Sequence, residues 1–321
     1  MSGSAASKNG QRMPSPALRR FSWAVLAYFI AVILWGTLVR ATGAGAGCGN
    51  HWPLCNGTVM QHSASVNTLI EFTHRITSGL SLLAVLGLLL WTFRSTGRGH
   101  MARWAASASV GLTMIEAILG ALLVVLGLTA QSQSPLRPYF LALHLTNTLL
   151  LLAALTLTAH LLGRRTGYCW EQIRMVSPGG ALTGILMVMT VGVTGSLAAL
   201  GDTLFPATSL GGALAQDFSA NSGWLVRWRW THPMVAIVAG VFLLWILMRA
   251  ARASHRGLFA LVLALLASVY LLGVLDVILL APVWVQVTHL LAADSLWAAL
   301  VVLSARLTLV AEDPSSKSCS Y

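Results

Sequence analysis

Acidic residues are scarce in this chain: 9 Asp and Glu stand against 20 Lys and Arg in 321 residues, and charged residues make up only 9%. Soluble domains carry roughly a quarter charged residues, so an ordinary water-exposed globule is excluded. The formal charge of +11 would point to nucleic acid in a soluble protein. Here the cations cluster between apolar runs, and nucleic acid is set aside as a partner. Cysteine is also sparse, four in all, too few for a disulfide framework. The chain has no Cys-x-x-Cys-His and no His-Glu-x-x-His. The first absence excludes covalent c-type haem attachment, and the second removes the main zinc-hydrolase signature.

Hydrophobic residues, at 56%, are concentrated in eight runs near 21–40, 67–93, 101–130, 138–163, 176–201, 224–250, 257–281 and 283–309. Each approaches the ~20 residues that cross a bilayer, so the expected class is an all-α integral membrane protein with eight transmembrane helices. Pro282 separates the last two runs so closely that one re-entrant element competes with two spans; two spans are expected. The first run exceeds the ~7–15 residues of a signal-peptide core and is read as retained. Residues 1–18 read as a disordered tail, 19–165 as an N-terminal four-helix half, 175–309 as a C-terminal four-helix half, and 310–321 as a second tail.

Counted over alternate loops, fifteen Lys and Arg fall on one side and four, Arg40, Arg137, Arg227 and Arg229, on the other, with Arg75 inside a span. The positive-inside rule then puts both termini in the cytoplasm. Cys48 and Cys55 lie in the first external loop, where an oxidising compartment permits a disulfide; two unpaired thiols are the alternative. Cys169 and Cys319 fall on the cytoplasmic side and read as free thiols.

Spans one to four laid over five to eight suggest a repeat of two four-helix bundles. Spans two and six both place Thr-His near their start and end in Trp and Arg, and Leu-Gly at 119–120 and 272–273 precedes a histidine early in the next span. His74, His144, His232 and His289 each lie six to eight residues into an inward-running span. At about 1.5 Å per residue they share a depth of roughly 10 Å below the external surface. Polar groups placed in lipid are functional candidates by default, and two facing imidazoles within a helical bundle suit a haem iron. Two pairs imply two haem sites; copper or a di-iron centre is the lesser alternative. His51, His62, His100, His160 and His255 read as solvated or interfacial.

The halves differ three residues ahead of the first histidine of each pair, with Glu71 in one and Arg229 in the other. Glu71 is expected to handle protons or charge at a reacting group, or to pair with Arg75 one turn on. The external arginines are candidate partners for haem propionates. Glu116, in mid-span, is a carboxyl whose role stays open between a hydrogen-bonded acid and a proton path. Trp52, inside the cysteine loop, could cover the mouth of the first site.

LVRATGAGAGCGNHWPLCNG at 38–57, IEFTHRITSG at 70–79, LHLTN around His144, THPMVAIVAG at 231–240 and VTHLLAADSLW at 287–297 resemble the membrane haem A synthases over nearly all eight spans. The resemblance implies oxidation of a methyl substituent of haem O to a formyl group, giving haem A for terminal oxidases. It implies haem b held by His232 and His289 with Arg229 nearby, and haem O as substrate framed by His74 and His144. Glu71 matches the family's acidic residue, and Cys48 and Cys55 its external pair, which would be disulfide-bonded. Implied partners are haem O, haem A and membrane lipid, with haem O synthase, cytochrome oxidase assembly factors and a second copy of the chain as protein candidates. The implied location is the plasma membrane, with the haem sites near the external face. Two departures stand out: the loop between spans five and six lacks a second cysteine pair, and Glu116 stands where the family pattern leads one to expect Gln.

Two rival functions fit the same residues. A two-haem b-type quinol oxidoreductase also uses four histidines, but carries charge between opposite faces, whereas these share one depth. A haem transporter would suit an internal repeat and would be expected to have a midplane site with broken helices.

Overall fold

The computed structural model describes residues 14–58, 65–163, 173–175, 178–250 and 256–311. Expectations for residues 1–13, His62, Cys169, His255, Cys319 and 312–321 lie outside the described residues. Ser15 accepts the Leu18 amide at 3.2 Å and Pro16 occupies the first turn, so α1 (Pro16–Ala41) starts there. Both are ordinary helix-start chemistry. The expected tail 1–18 therefore ends before Pro16, and Leu18 is fully buried in the core.

Ser65 caps α2 (Val66–Ser95) through the Thr68 amide. His100 caps α3 (Met101–Val125) with Nδ1 on the Ala102 amide at 3.1 Å. Burial, with Arg103 beside it, holds the His100 pKa below its ordinary value, which keeps that nitrogen an acceptor. α4 (Arg137–Leu162), α5 (Pro178–Leu204), the short α6 (Leu210–Phe218) and α7 (Trp224–Arg227) follow, then α8 (Thr231–Ala250), α9 (Arg256–Ile278) and α10 (Val283–Thr308). Eight stretches are long and apolar enough to cross a membrane, α7 and α8 together forming one of them. The chain is a multi-pass membrane protein. β1 (Ile173–Met175) pairs antiparallel with β2 (Leu309–Ala311), so the expected C-terminal tail begins as a strand.

α9 and α10 are two spans. Leu280 and Ala281 both take positive φ (60° and 56°), the Ala281 amide returns to the Asp276 carbonyl at 2.8 Å, and Pro282 starts the next helix. Two left-handed residues before a proline reverse the chain sharply.

Within the first half, α1 packs on α2 and α4, and α3 packs on α2 and α4; in the second, α5 packs on α8 and α10, and α10 on α9. The halves meet where α4 lies against α5 and α10, and α1 against α10. One apolar cluster joins Val25, Phe29, Leu88, Leu152, Leu155 and Trp297, and a second joins Leu247, Phe259, Val262 and Leu300. These residues come from the first part of α1 and α9 and the last part of α2, α4, α8 and α10. The two apolar clusters thus lie toward the end of the bundle opposite the Cys48–Cys55 loop. Trp23, Trp91, Trp104, Trp224, Trp228 and Trp284 are exposed near span ends, where aromatic side chains form a belt at the membrane interface.

Candidate functional site

Between the helices a cavity runs from the loop end past both apolar clusters. This cavity of about 3180 Å³ is lined by His74, His144, His232 and His289, well above the ~300–1,000 Å³ of an ordinary small-ligand pocket. Each imidazole rests on a glycine of the preceding span. A Cβ on Gly36 would lie 3.0 Å from His74 Cε1, on Gly120 4.0 Å from His144 Cε1, on Gly195 2.9 Å from His232 Cε1, and on Gly273 3.2 Å from His289 Cε1. The absent side chain is what makes room for the ring. The sequence reading singled out Gly120 and Gly273 as landmarks and missed that all four histidines share the arrangement.

The second pair fits a metal between its members. Two imidazoles facing one metal, each nitrogen about 2 Å from it, place their ring centroids roughly 6 Å apart. The His232 and His289 centroids are 6.5 Å apart, with ring planes at 86°. His74 and His144 line the same cavity. The Nδ1 atoms of His74, His144 and His289 are buried without a hydrogen-bond partner, and His232 Nδ1 has only Thr194 Oγ1 at 3.4 Å. Buried polar atoms are rarely left so, and their concentration in one layer fits a bound group that fixes the rings. Among the described residues no cluster of three or more His, Cys, Asp or Glu could hold a metal ion, which weighs against the di-iron alternative and leaves paired imidazoles as the candidate ligands.

Cys48 and Cys55 are disulfide-bonded, with Cα atoms 4.4 Å apart, as expected. Glu71 is 3% exposed and pairs with Arg75 one turn on. Its other oxygen accepts the Cys48 amide at 2.8 Å. Arg75 Nη1 donates to the carbonyls of His51 and Leu54 at 2.6 and 2.7 Å. Trp52, half-exposed, lines the cavity, so the loop sits at the mouth of the first pair.

Three of the four arginines expected to meet propionates, Arg229, Arg40 and Arg137, have protein partners. Arg229 donates to Asp217 at 2.8 Å, Asp202 at 3.1 Å and Gln216 at 3.1 Å, which ties α6 to the start of α8. Arg40 crosses between the halves, donating to the Ala199 carbonyl and Thr203 hydroxyl at 2.9 Å and to Gln286 at 2.7 Å. Arg137 is 3% exposed and donates to the Ser132 carbonyl at 2.9 Å. Glu116 is held by Asn147 and Thr148 beside His144. Sequence reasoning passed over Asp202, Asp217 and Gln286. It also passed over Asp294, 2% exposed with Oδ2 unpartnered; an acid inside an apolar run was the available signal.

A family model described as cytochrome oxidase assembly protein (COX15-CtaA) matches residues 19–301. The chain belongs to this family. The similar proteins include a "Protoheme IX farnesyltransferase" of Thermus thermophilus, 39% identical over 307 residues that cover 91% of this chain and 49% of the relative. A "Heme A synthase" of Bacillus licheniformis is 40% identical over 99 residues, 31% of this chain and 32% of the relative. A "Heme A synthase" of Geobacillus kaustophilus is 35% identical over 141 residues, 44% and 42% of the two chains. The chain spans about half the length of the Thermus relative it matches. The resemblance to haem A synthases read in the sequence holds at the level of the family.

Proposed function

We propose that this chain acts as a haem A synthase, oxidising the methyl substituent of haem O to a formyl group. The observation that carries the reading is the layer of four imidazoles, each seated on a glycine, in one cavity under a disulfide-closed loop. Family membership and the relatives named "Heme A synthase" support it.

In this reading His232 and His289 hold a resident haem b, and His74 and His144 frame haem O. Turning a methyl into a formyl group removes four electrons and adds one oxygen atom, chemistry that side chains lack and a bound haem supplies. The protein's own part is positioning. The glycines let the rings approach, and the cores of Leu and Val at the other end fix the helices that carry them. Glu71 keeps its carboxylate, paired with Arg75, one turn from His74 and ties down the loop that shields the first pair from water. Glu71 stands one turn before His74 on the same helix face, a carboxyl group placed to receive protons released by the oxidation. Both termini face the cytoplasm and the histidine layer lies toward the external face, following the distribution of basic residues. The four histidines at one depth disfavour the quinol oxidoreductase, and a transporter has no need of ring-fitting glycines.

The test is expression of the full chain in cells that make haem O, followed by extraction of pigments from membranes and from purified protein. Haem B together with haem A, dependent on the chain, is the expected result. Protohaem converted to its farnesylated form would favour the activity named for the Thermus relatives, and two haem B per chain with no haem A would favour the electron carrier.

A further inference from the structure

The four odd spans share a register that extends one turn beyond the glycine. Four residues before Gly36, Gly195 and Gly273 stand Val32, Val191 and Val269; four residues before Gly120 stands Glu116. At the first three of these places the side chain is a valine, which offers an imidazole no acceptor. At the corresponding place on α3, His144 meets a carboxylate, with Glu116 Oε1 3.5 Å from its Nδ1. We propose that Glu116 is a positioning residue for His144: its carboxyl group accepts a hydrogen bond from Nδ1–H, turns Nε2 to the first haem site, and makes that site's electronic environment unlike the second.

The carboxyl group is fixed before any ligand binds. Asn147, which can only donate through its Nδ2, holds Oε2 and also reaches the Leu112 carbonyl at 2.9 Å. Thr148 lies on Oε1 and on the His144 carbonyl. Both come from α4, in the turn after His144, so the group that aims the ring is anchored to the ring's own helix. The 3.5 Å separation exceeds the 2.7–3.2 Å of a formed N–H···O bond, and Nδ1 has no other partner. A small rotation of the imidazole as Nε2 engages a metal closes that gap. Carboxylate partners on the outer nitrogen of a ligating histidine fix its tautomer and raise its donor strength, which favours the oxidised metal and lowers its potential.

The inference rests on the functional reading above, in which His144 is a haem ligand. The experiment uses full-length protein purified with its haem and supplemented with protohaem IX, compared with Glu116→Gln and Thr148→Val. Haem stoichiometry, low-spin electron paramagnetic resonance and redox titration are read for each. E116Q keeps an acceptor for Asn147 but removes the charge; it is expected to raise the midpoint potential of one haem and change its g-values, with the other haem unmoved. T148V frees Oε1 for His144 while Asn147 still holds Oε2, and is expected to shift the same haem in the opposite direction. If both variants bind haem with unchanged potentials and g-values, Glu116 merely links α3 to α4 and the proposal fails. Wild-type protein with no haem absorption overturns the functional reading, and this proposal with it.

Discussion

The backbone amide of Cys48 donates to Oε2 of Glu71 across 2.8 Å, between residues 23 apart in sequence. The opposite oxygen of the same carboxylate holds Arg75, whose guanidinium reaches the carbonyls of His51 and Leu54. One acidic side chain on α2 therefore organises both ends of the disulfide-closed loop. From sequence, a local pair with Arg75 and a role at the site were both open, and compatible with each other. In the fold the pair is what carries Glu71 into the site, because the arginine it orients is the one that grips the loop.

Removing that carboxylate leaves a largely buried guanidinium without its counter-ion and a main-chain amide without its acceptor. Breaking a buried ion pair on one side costs about 3 kcal/mol, so Glu71→Ala should lower the melting temperature and speed amide exchange across residues 48–55. Glu71→Gln retains an acceptor and should do so less. Hydrogen exchange by mass spectrometry in detergent reads the loop directly. In the same variants haem b should stay bound while haem A falls and haem O accumulates; an unchanged haem A yield would remove Glu71 from the reaction.

The histidine pairs should separate in their effects. His232→Ala and His289→Ala are expected to lose the haem that survives purification, since each leaves one imidazole facing an empty place. His74→Ala and His144→Ala should keep that haem and lose turnover. Pigment extraction with absorption spectra of each purified variant checks the assignment, and loss of resident haem from the first pair would exchange the roles of the halves.

The glycines give a graded series. The Cβ of Gly195→Ala would lie 2.9 Å and that of Gly36→Ala 3.0 Å from an imidazole carbon, Gly273→Ala 3.2 Å, and Gly120→Ala 4.0 Å. Ring displacement, read as a shifted or weakened haem spectrum, should be strong at the first two, moderate at the third and slight at the fourth. Gly79 and Gly184 meet nothing within 4 Å. Alanine there should raise helix stability by up to about 1 kcal/mol without touching the spectrum. Equal effects at all six positions would show that ring clearance is not what these glycines provide.

The eight spans were legible because lipid demands long apolar helices with their backbone bonds satisfied internally, and the four histidines because any polar side chain stands out in such runs. Boundaries set by capping were less so: Ser15 and Pro16 start α1 inside a stretch whose composition reads as tail. Arg229 shows the harder limit. Its place one turn ahead of His232 was visible, but its pairing with Asp217 depends on α6 folding back from a loop with no strong periodicity, and that with Asp202 on where α5 ends. The registers of Val32, Glu116, Val191 and Val269 lie openly in the sequence, yet carry meaning only once each glycine is known to face a ring.

Arg40 tests how the two halves hold together. It leaves α1 and ends among groups of the other half, the Ala199 carbonyl and Thr203 hydroxyl on α5 and Gln286 on α10. Hydrogen bonds from a charged donor contribute roughly 1.5–3 kcal/mol each when lost from a buried place, and these three share one guanidinium. Arg40→Ala should therefore destabilise by about 3 kcal/mol, and Arg40→Lys by less, because an ammonium supplies donors without the planar fork that reaches two helices at once. Gln286→Leu removes one acceptor and should cost little further in the Arg40→Ala background. A double-mutant cycle on thermal unfolding in detergent is expected to give a coupling of about 1–2 kcal/mol, and strict additivity would show that Arg40 and Gln286 act independently. The Gln286 bond fixes α10, which carries His289, relative to α1, whose Gly36 seats His74. The cycle run on haem spectra instead of stability should then show both pairs disturbed together by Arg40→Ala, where a purely local defect would disturb one.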